Sequence, residues 1–297
     1  MSLLRSSCLM CCAVLFTATF QGCTKFQALN ATVTHGGYSV ARDIPFGDTP
    51  RLKLDVYRPR PGKGNGGIVV FFYGGSWTSG EKSDYRFAAQ ALVSRGFVAV
   101  LPNYRIYPEV QFPTFVEDGA RAFRWVHDHA VEIGGNPKRI YLMGHSAGAH
   151  IVALLTLDPR YLKGVGLDRS AIRATAALSG PYDFVPGPDE RPVFGLSVTN
   201  PKPYPEMEPI NFVDGHEPPM LLIHGLIDKT VSSKNSDELA EKIRAKGGEV
   251  QEIVYPKRAH VGVVLSLAAP FRWLAPTLDD VTKFFNRYEG VLYAGPN

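Results

Sequence analysis

The sequence predicts an α/β fold, with a mostly parallel central sheet covered by helices on both faces. Three observations carry this expectation. Apolar runs of strand length alternate with longer stretches of helical period along most of the chain. Several runs, 68–73 above all, are continuously apolar, as strands buried on both faces are. Gly and Pro fall between these runs, where a strand must hand over to a helix.

Taken in order, Leu52, Leu54 and Val56 alternate with Lys53, Asp55 and Tyr57, the pattern of a half-buried strand. A turn rich in Pro and Gly leads to the buried strand 68–73, which ends at Gly74-Gly75-Ser76-Trp77. These two early strands, ahead of any helix, suggest an antiparallel start. Residues 83–95 have helical composition with Gly96 as the stop, and 97–101 is the next buried strand. A long helix over 115–131 places Phe115, Ala122, Phe123, Val126 and Ala130 near one face. Strand 140–143, helix 147–157 and strand 174–178 follow. Strand 220–224, a helix over 236–246, strand 250–255 and a closing helix over 279–288 complete the order. No Gly/Ser linker divides the chain, so 23–297 is read as one domain. The segment 184–219 breaks the rhythm, carrying nine prolines and weak periodicity. An irregular insertion of this length in a compact domain reads as a binding loop or lid.

The chemistry centres on Gly144-His145-Ser146-Ala147-Gly148, a G-x-S-x-G pattern between a strand and an apolar-striped helix. The serine of such a turn is held with its oxygen projecting, and the flanking glycines let strand and helix approach closely. The helix start faces developing negative charge with free N–H groups, so the Ala147 N–H is one candidate oxyanion donor. Gly74, Gly75 and Ser76, after the buried strand, are the second arm. Gly-Gly alone reads as an ordinary turn, but upstream of the serine motif in this strand order it reads as part of an oxyanion hole. Such donors contribute about 3 kcal/mol each to the transition state.

At these residues the chain resembles the α/β-hydrolase superfamily. Tyr73-Gly74-Gly75-Ser76-Trp77 is similar to the His-Gly-Gly-x-Trp region of carboxylesterases and kynurenine formamidases, and the chain also resembles hormone-sensitive-lipase-like and feruloyl-esterase-like members. Asn103-Tyr104-Arg105-Ile106-Tyr107-Pro108, Ser179-Gly180-Pro181-Tyr182-Asp183 and the stretch from Ile223 to Asp228 fit as well. The resemblance covers roughly residues 40 to 290 and implies an α/β-hydrolase fold. Two positions depart from the pattern: Tyr73 stands where His is usual, and Asn103 where Asp is usual.

A serine hydroxyl needs a histidine to take its proton and a carboxylate to orient that histidine. In this fold the order along the chain is serine, acid, histidine. Asp228, beyond strand 220–224, is the expected acid, and the resemblance places it there too. Asp237 is the rival, within a helix and facing solvent. His260 is the only histidine beyond strand 250–255 and the expected base. Among the others, His224 is expected to brace a loop, His145 to be turned away by the sharp bend, and His150 to lie behind the nucleophile. His127 and His129 point to different helix faces, and His35 and His216 fall in loops. Trp77 and Tyr104 are candidate substrate contacts, although aromatic residues more often pack the core.

These residues predict a serine hydrolase that cleaves small carboxylic esters through an acyl-enzyme, without cofactor or metal. No His-Glu-x-x-His motif or Cys/His cluster exists, and the net charge of +4 is scattered, so no nucleic-acid partner is expected. An aryl formamidase is the alternative enzyme, separable by comparing N-formylkynurenine with p-nitrophenyl acetate. A catalytically inactive binding module of the same fold is the alternative of another class. Such modules typically lose a triad residue, and all three are present.

The amino terminus reads as a targeting segment. Arg5 precedes an uncharged, mostly apolar run from Cys8 to Phe20, too short for an ordinary membrane-spanning helix. Phe20-Gln21-Gly22-Cys23 resembles a bacterial lipoprotein box with Phe20 where Leu is usual; an ordinary signal peptide cut nearby is the other reading. Residues 1–22 are thus expected to be a signal peptide. Cys23 is the expected lipidation site and membrane attachment, and the periplasm or its membrane surface the expected location.

Overall fold

The computed structural model describes residues 29–30, 33, 36–196 and 205–290. Among the described residues, eight strands form one sheet: β1 (Tyr38–Pro45), β2 (Lys53–Pro59), β3 (Ile68–Phe72), β4 (Val98–Pro102), β5 (Ile140–His145), β6 (Thr175–Leu178), β7 (Met220–Gly225) and β8 (Val250–Tyr255). Their spatial order is β1-β2-β4-β3-β5-β6-β7-β8. From β4 to β8 every neighbouring pair is parallel, while β1–β2 and β2–β4 are antiparallel. The helices are α1 (Arg86–Val93), α2 (Thr114–Asp128), α3 (Ala147–Leu157), α4 (Pro159–Gly164), α5 (Lys234–Ala245), α6 (His260–Leu265) and α7 (Thr277–Asn286).

The antiparallel start differs from the expectation. It is built by β1 and β2, and the apolar run at 68–72 belongs to the parallel part, between β4 and β5. β1 escapes a sequence reading because it lies at the sheet edge, mixes exposed and half-buried positions, and shifts register between Ala41 and Ile44. The expected first helix divides into a 3₁₀ turn at Lys82–Tyr85 and α1.

Burial explains the sheet's centre. All residues of β3, β4 and β5 are buried, matching their unbroken apolar runs. α3 is buried along its whole length and packs against β5 and β6. A helix apolar all round belongs inside. Burying Ile151, Leu154 and Leu155 contributes about 2 kcal/mol each.

Register then sets out the functional end. Phe72 pairs with Gly144, and His145 pairs with Leu178. The loops after β3 and β5 therefore leave the sheet side by side at its carboxyl edge, where open parallel sheets bind ligands. The loops after β7 and β8 leave the same edge, since Gly225 pairs with Tyr255. Within 184–219, short 3₁₀ turns occur at Arg191–Phe194, Pro205–Met207 and Pro209–Phe212. Residues 197–204, His35, the targeting segment 1–22 and Cys23 lie outside the described residues. Among the described residues, no helix is long and apolar enough to cross a membrane.

Candidate active site

Ser146 occupies the turn between β5 and α3 with φ 55° and ψ −121°, a conformation that L-residues rarely adopt. The flanking glycines make this turn geometrically feasible. A Cβ on Gly144 would lie 2.3 Å from the Gly148 carbonyl oxygen, and one on Gly148 would lie 2.1 Å from the Phe72 carbonyl oxygen. Any larger residue at either place drives backbone into backbone.

Three chain-distant side chains meet there. His260, the first residue of α6, lies with Nε2 2.8 Å from Ser146 Oγ and Nδ1 2.7 Å from Asp228 Oδ2. An ionised carboxylate only accepts, so Nδ1 carries the hydrogen and the Nε2 lone pair faces the serine hydroxyl. Asp228 Oδ1 accepts the N–H groups of Thr230 and Val231 at 2.9 and 3.0 Å. Burial pushes the Asp228 carboxyl up, but hydrogen bonds from His224, His260 and the Val231 N–H outweigh it and hold the group well below the usual carboxylate range.

His224 braces the loop beyond β7. Its Nε2–H donates to the Val231 carbonyl at 3.0 Å and faces Asp228 Oδ2 at 3.3 Å, while Nδ1 accepts from Ser236 Oγ at 2.8 Å. Asp237, the rival acid, is exposed on α5 and stands apart from this group.

The second arm is strained as well. Ser76 and Trp77 have φ of 50° and 59°, and Gly75 has φ 140°. A Cβ on Gly75 would lie 2.2 Å from the Ser79 carbonyl oxygen. Among the described residues the N–H groups of Gly75, Ser76 and Ala147 have no protein acceptor. Gly74 differs from the expectation: its N–H donates to the Tyr85 hydroxyl at 3.3 Å, so it is not a free oxyanion donor. Gly74 instead packs on the serine turn, where a Cβ would come within 3.0 Å of Ser146 Cβ.

The departures at Tyr73 and Asn103 resolve into braces. Tyr73 stacks on Tyr104 with ring centroids 4.5 Å apart, and its hydroxyl accepts from Arg51 at 3.1 Å. The same guanidinium donates to the carbonyls of Gly80 and Tyr104, each at 2.7 Å. Asn103 Oδ1 accepts the Lys82 N–H at 2.7 Å, and Arg105 pairs with buried Asp118 at 2.7 and 2.9 Å. Tyr104 is therefore a correction. It is fully buried, its hydroxyl donates to the Tyr73 carbonyl at 2.9 Å, and it supports the loop rather than meeting substrate.

Trp77 does line the cavity beside Ser146. That cavity measures about 160 Å³ and is walled by Ser76, Trp77, Phe184, Val231 and Asn235, among others. Phe184, Val185 and Glu190 bring the start of the 184–219 segment into its wall. Asn235 anchors that segment by accepting the Tyr182 and Asp183 N–H groups at 2.7 and 3.0 Å. Behind Trp77, His150 is fully buried, and its Nε2–H donates to the Met207 carbonyl at 2.7 Å. Burial pushes its pKa down to about 4. His145 is not simply turned away: its ring lies against His260, with centroids 4.9 Å apart. Arg51, Tyr85 and Asn235 escaped the sequence reading, because no motif marks a side chain that reaches across 10 to 60 residues.

A sheet in this strand order, with serine after β5, aspartate after β7 and histidine after β8, defines an α/β hydrolase. Solved structures agree on the fold. A truncated form of carbohydrate esterase from gut microbiota superimposes with TM-score 0.73 at 22% identity, over 87% of this chain and 99% of that one. The apo form of Thermogutta terrifontis esterase 2 gives 0.69 at 23%, over 86% and 96%. The family model BD-FAE matches residues 54–243, and the chain belongs to that family. Among curated proteins it is similar to a probable isoprenylcysteine alpha-carbonyl methylesterase of Arabidopsis thaliana, 30% identical over 82% of this chain and 56% of that protein. It is also similar to esterase LipQ of Mycobacterium tuberculosis, 28% identical over 84% and 62%. The chain thus spans little more than half the length of these curated relatives.

Proposed function

We propose that this protein is a serine hydrolase of small carboxylic esters, acting through an acyl-enzyme on Ser146. The carrying observation is the continuous hydrogen-bonded path from Ser146 Oγ through His260 to buried Asp228, at 2.8 and 2.7 Å. Ser146 attacks the acyl carbon while His260 Nε2 takes its proton. Asp228 holds the imidazole in the required tautomer and stabilises the imidazolium. The tetrahedral oxyanion forms beside the N–H groups of Gly75, Ser76 and Ala147, donors already held in place by strained backbone. The imidazolium next protonates the leaving alcohol, and water activated by the same histidine releases the acid.

The relatives favour ester over formamide substrates, since they are a probable methylesterase and an esterase. The cavity of about 160 Å³ suits a short acyl or alcohol group against Trp77 and Phe184. The test is a substitution. Ser146→Ala should lower kcat/KM on p-nitrophenyl acetate by roughly 10⁴-fold or more while the protein stays folded. Retention of most activity by a folded variant removes Ser146 from the mechanism.

Export is part of the same proposal. Arg5, the apolar run and Cys23 support a cleaved signal and a lipid anchor on Cys23 at the periplasmic membrane surface. Mass spectrometry of the mature amino terminus tests it: a lipidated Cys23 is expected, and an unmodified terminus elsewhere excludes the anchor.

A further inference from the structure

We propose that His145 and Tyr85 are positioning residues, forming a buried hydrogen-bonded chain that locks the oxyanion loop, the nucleophile turn and the base in one register. The chain runs from the Gly74 N–H to the Tyr85 hydroxyl at 3.3 Å, from that hydroxyl to His145 Nδ1 at 3.3 Å, and from His145 Nε2 to the His260 carbonyl at 3.2 Å. It rests on the serine-hydrolase reading and adds two residues to it.

The direction of every link follows from the ends. The His260 carbonyl can only accept, so His145 Nε2 carries a hydrogen. The His145 ring is buried, and burial, followed by the nearby His260 imidazole, pushes its pKa down to about 3. A neutral ring with hydrogen on Nε2 has a lone pair on Nδ1, so the Tyr85 hydroxyl donates to it. Burial pushes the Tyr85 phenol up, which keeps it protonated for that role. Its oxygen in turn accepts the Gly74 N–H. Each link is long and individually modest, but all point the same way along one path.

The path touches each part whose placement the reaction needs. Gly74 immediately precedes the donors Gly75 and Ser76, His145 immediately precedes Ser146, and His260 is the base. Ser76, Trp77 and Ser146 all have φ between 50° and 59°, and such backbone persists only where the surroundings over-determine it. Gly74 has no side chain to intervene: a Cβ there would sit 3.0 Å from His145 Nδ1. Neither His145 nor Tyr85 lines the cavity, and each is only 3% exposed, so both act through others.

The experiment compares wild type with Tyr85→Phe, His145→Phe, His145→Gln and the double variant Tyr85→Phe/His145→Phe. It reads kcat and KM on p-nitrophenyl acetate, the rate of fluorophosphonate labelling and the thermal midpoint. His145→Phe should lower kcat and the labelling rate by about 10- to 100-fold, because small misplacements of reacting groups have effects of that size. KM should stay within about threefold. Tyr85→Phe should lower kcat less, and the double variant should be no slower than His145→Phe, since both break one path. His145→Gln, which keeps a donor for the His260 carbonyl, should recover part of the loss and serves if His145→Phe fails to fold. Wild-type labelling rates in all folded variants, or additive losses in the double variant, overturn the relay while leaving the hydrolase reading intact. Absence of labelling in the wild type overturns the hydrolase reading itself.

Discussion

The two strained loops that meet at Ser146 are held in different ways. The nucleophile turn is specified locally: Gly144 and Gly148 sit two residues either side of the serine, and their missing side chains let β5, α3 and β3 touch. The loop from Gly74 to Gly80 is specified remotely, by the Arg51 guanidinium, the Tyr73–Tyr104 stack and the Tyr85 hydroxyl. Both hold residues at positive φ, one by steric necessity and the other by a set of side-chain braces. The contrast separates stability from activity. Side chains added at the flanking glycines of the first loop should unfold the protein, whereas loss of the braces of the second should leave a folded but slower enzyme.

The largest effect expected is at Gly148. Gly148→Ala places a methyl 2.1 Å from the Phe72 carbonyl oxygen, backbone that cannot move without parting β3 from α3. A loss of more than about 4 kcal/mol is expected, read as failure to give soluble protein or as a collapsed urea midpoint. The matching change on the other side is Gly74→Ala, whose Cβ would meet its nearest neighbours at 3.0 Å. It should fold, with kcat reduced far more than stability.

Acid should weaken the nucleophile side next. His145 and His150, one on the turn and one on α3, have pKa values pushed down by burial to about 3 and about 4. A histidine depressed in the folded state binds its proton more readily when unfolded. Its contribution is therefore present above the unfolded value near 6.5 and is lost as pH falls below it. Between pH 7 and pH 5 each should remove about 2 kcal/mol of stability. The depressed Asp228 carboxyl, whose stabilisation is lost only as pH falls below the ordinary carboxylate range, adds to this at lower pH. Urea midpoints measured at both pH values check the histidine window, and an unchanged midpoint contradicts it.

On the braced side, Arg51→Met removes three donated hydrogen bonds while keeping much of the side chain's bulk. The expected result is kcat lowered by about 10- to 100-fold, the equivalent of losing roughly 2 kcal/mol of transition-state stabilisation, with a modest fall in thermal midpoint. The smallest effect belongs to the cavity's outer wall. Glu190→Gln, whose carboxylate accepts the nearby Gly187 N–H, should change stability by less than about 0.5 kcal/mol and alter KM by a few-fold.

The same contrast explains what could be read from the sequence. Ser146, Asp228 and His260 stand out because the fold imposes an order on them and each follows a strand that ends at the sheet's carboxyl edge. The glycines of the nucleophile turn stand out because both fall within two residues of the serine in the sequence. Arg51 and Tyr85 do not, because their value lies in contacts 10 to 60 residues away that no local pattern encodes. Tyr104 was legible as an aromatic of interest but not as a brace, since its role depends on Tyr73 lying beside it. β1 was missed because its bulged, half-exposed edge lacks a clean alternation, and α6 because six residues are too few to show a period.

The most direct test of the central claim is covalent titration of the folded protein with diisopropyl fluorophosphate, followed by intact-mass measurement and peptide mapping. One diisopropylphosphoryl group per chain, on the peptide containing Ser146 and lost in His260→Ala, is the predicted result. A folded protein that takes up no label, or takes it up on another residue at the same rate, contradicts the assignment of Ser146, His260 and Asp228 to a single nucleophilic machine.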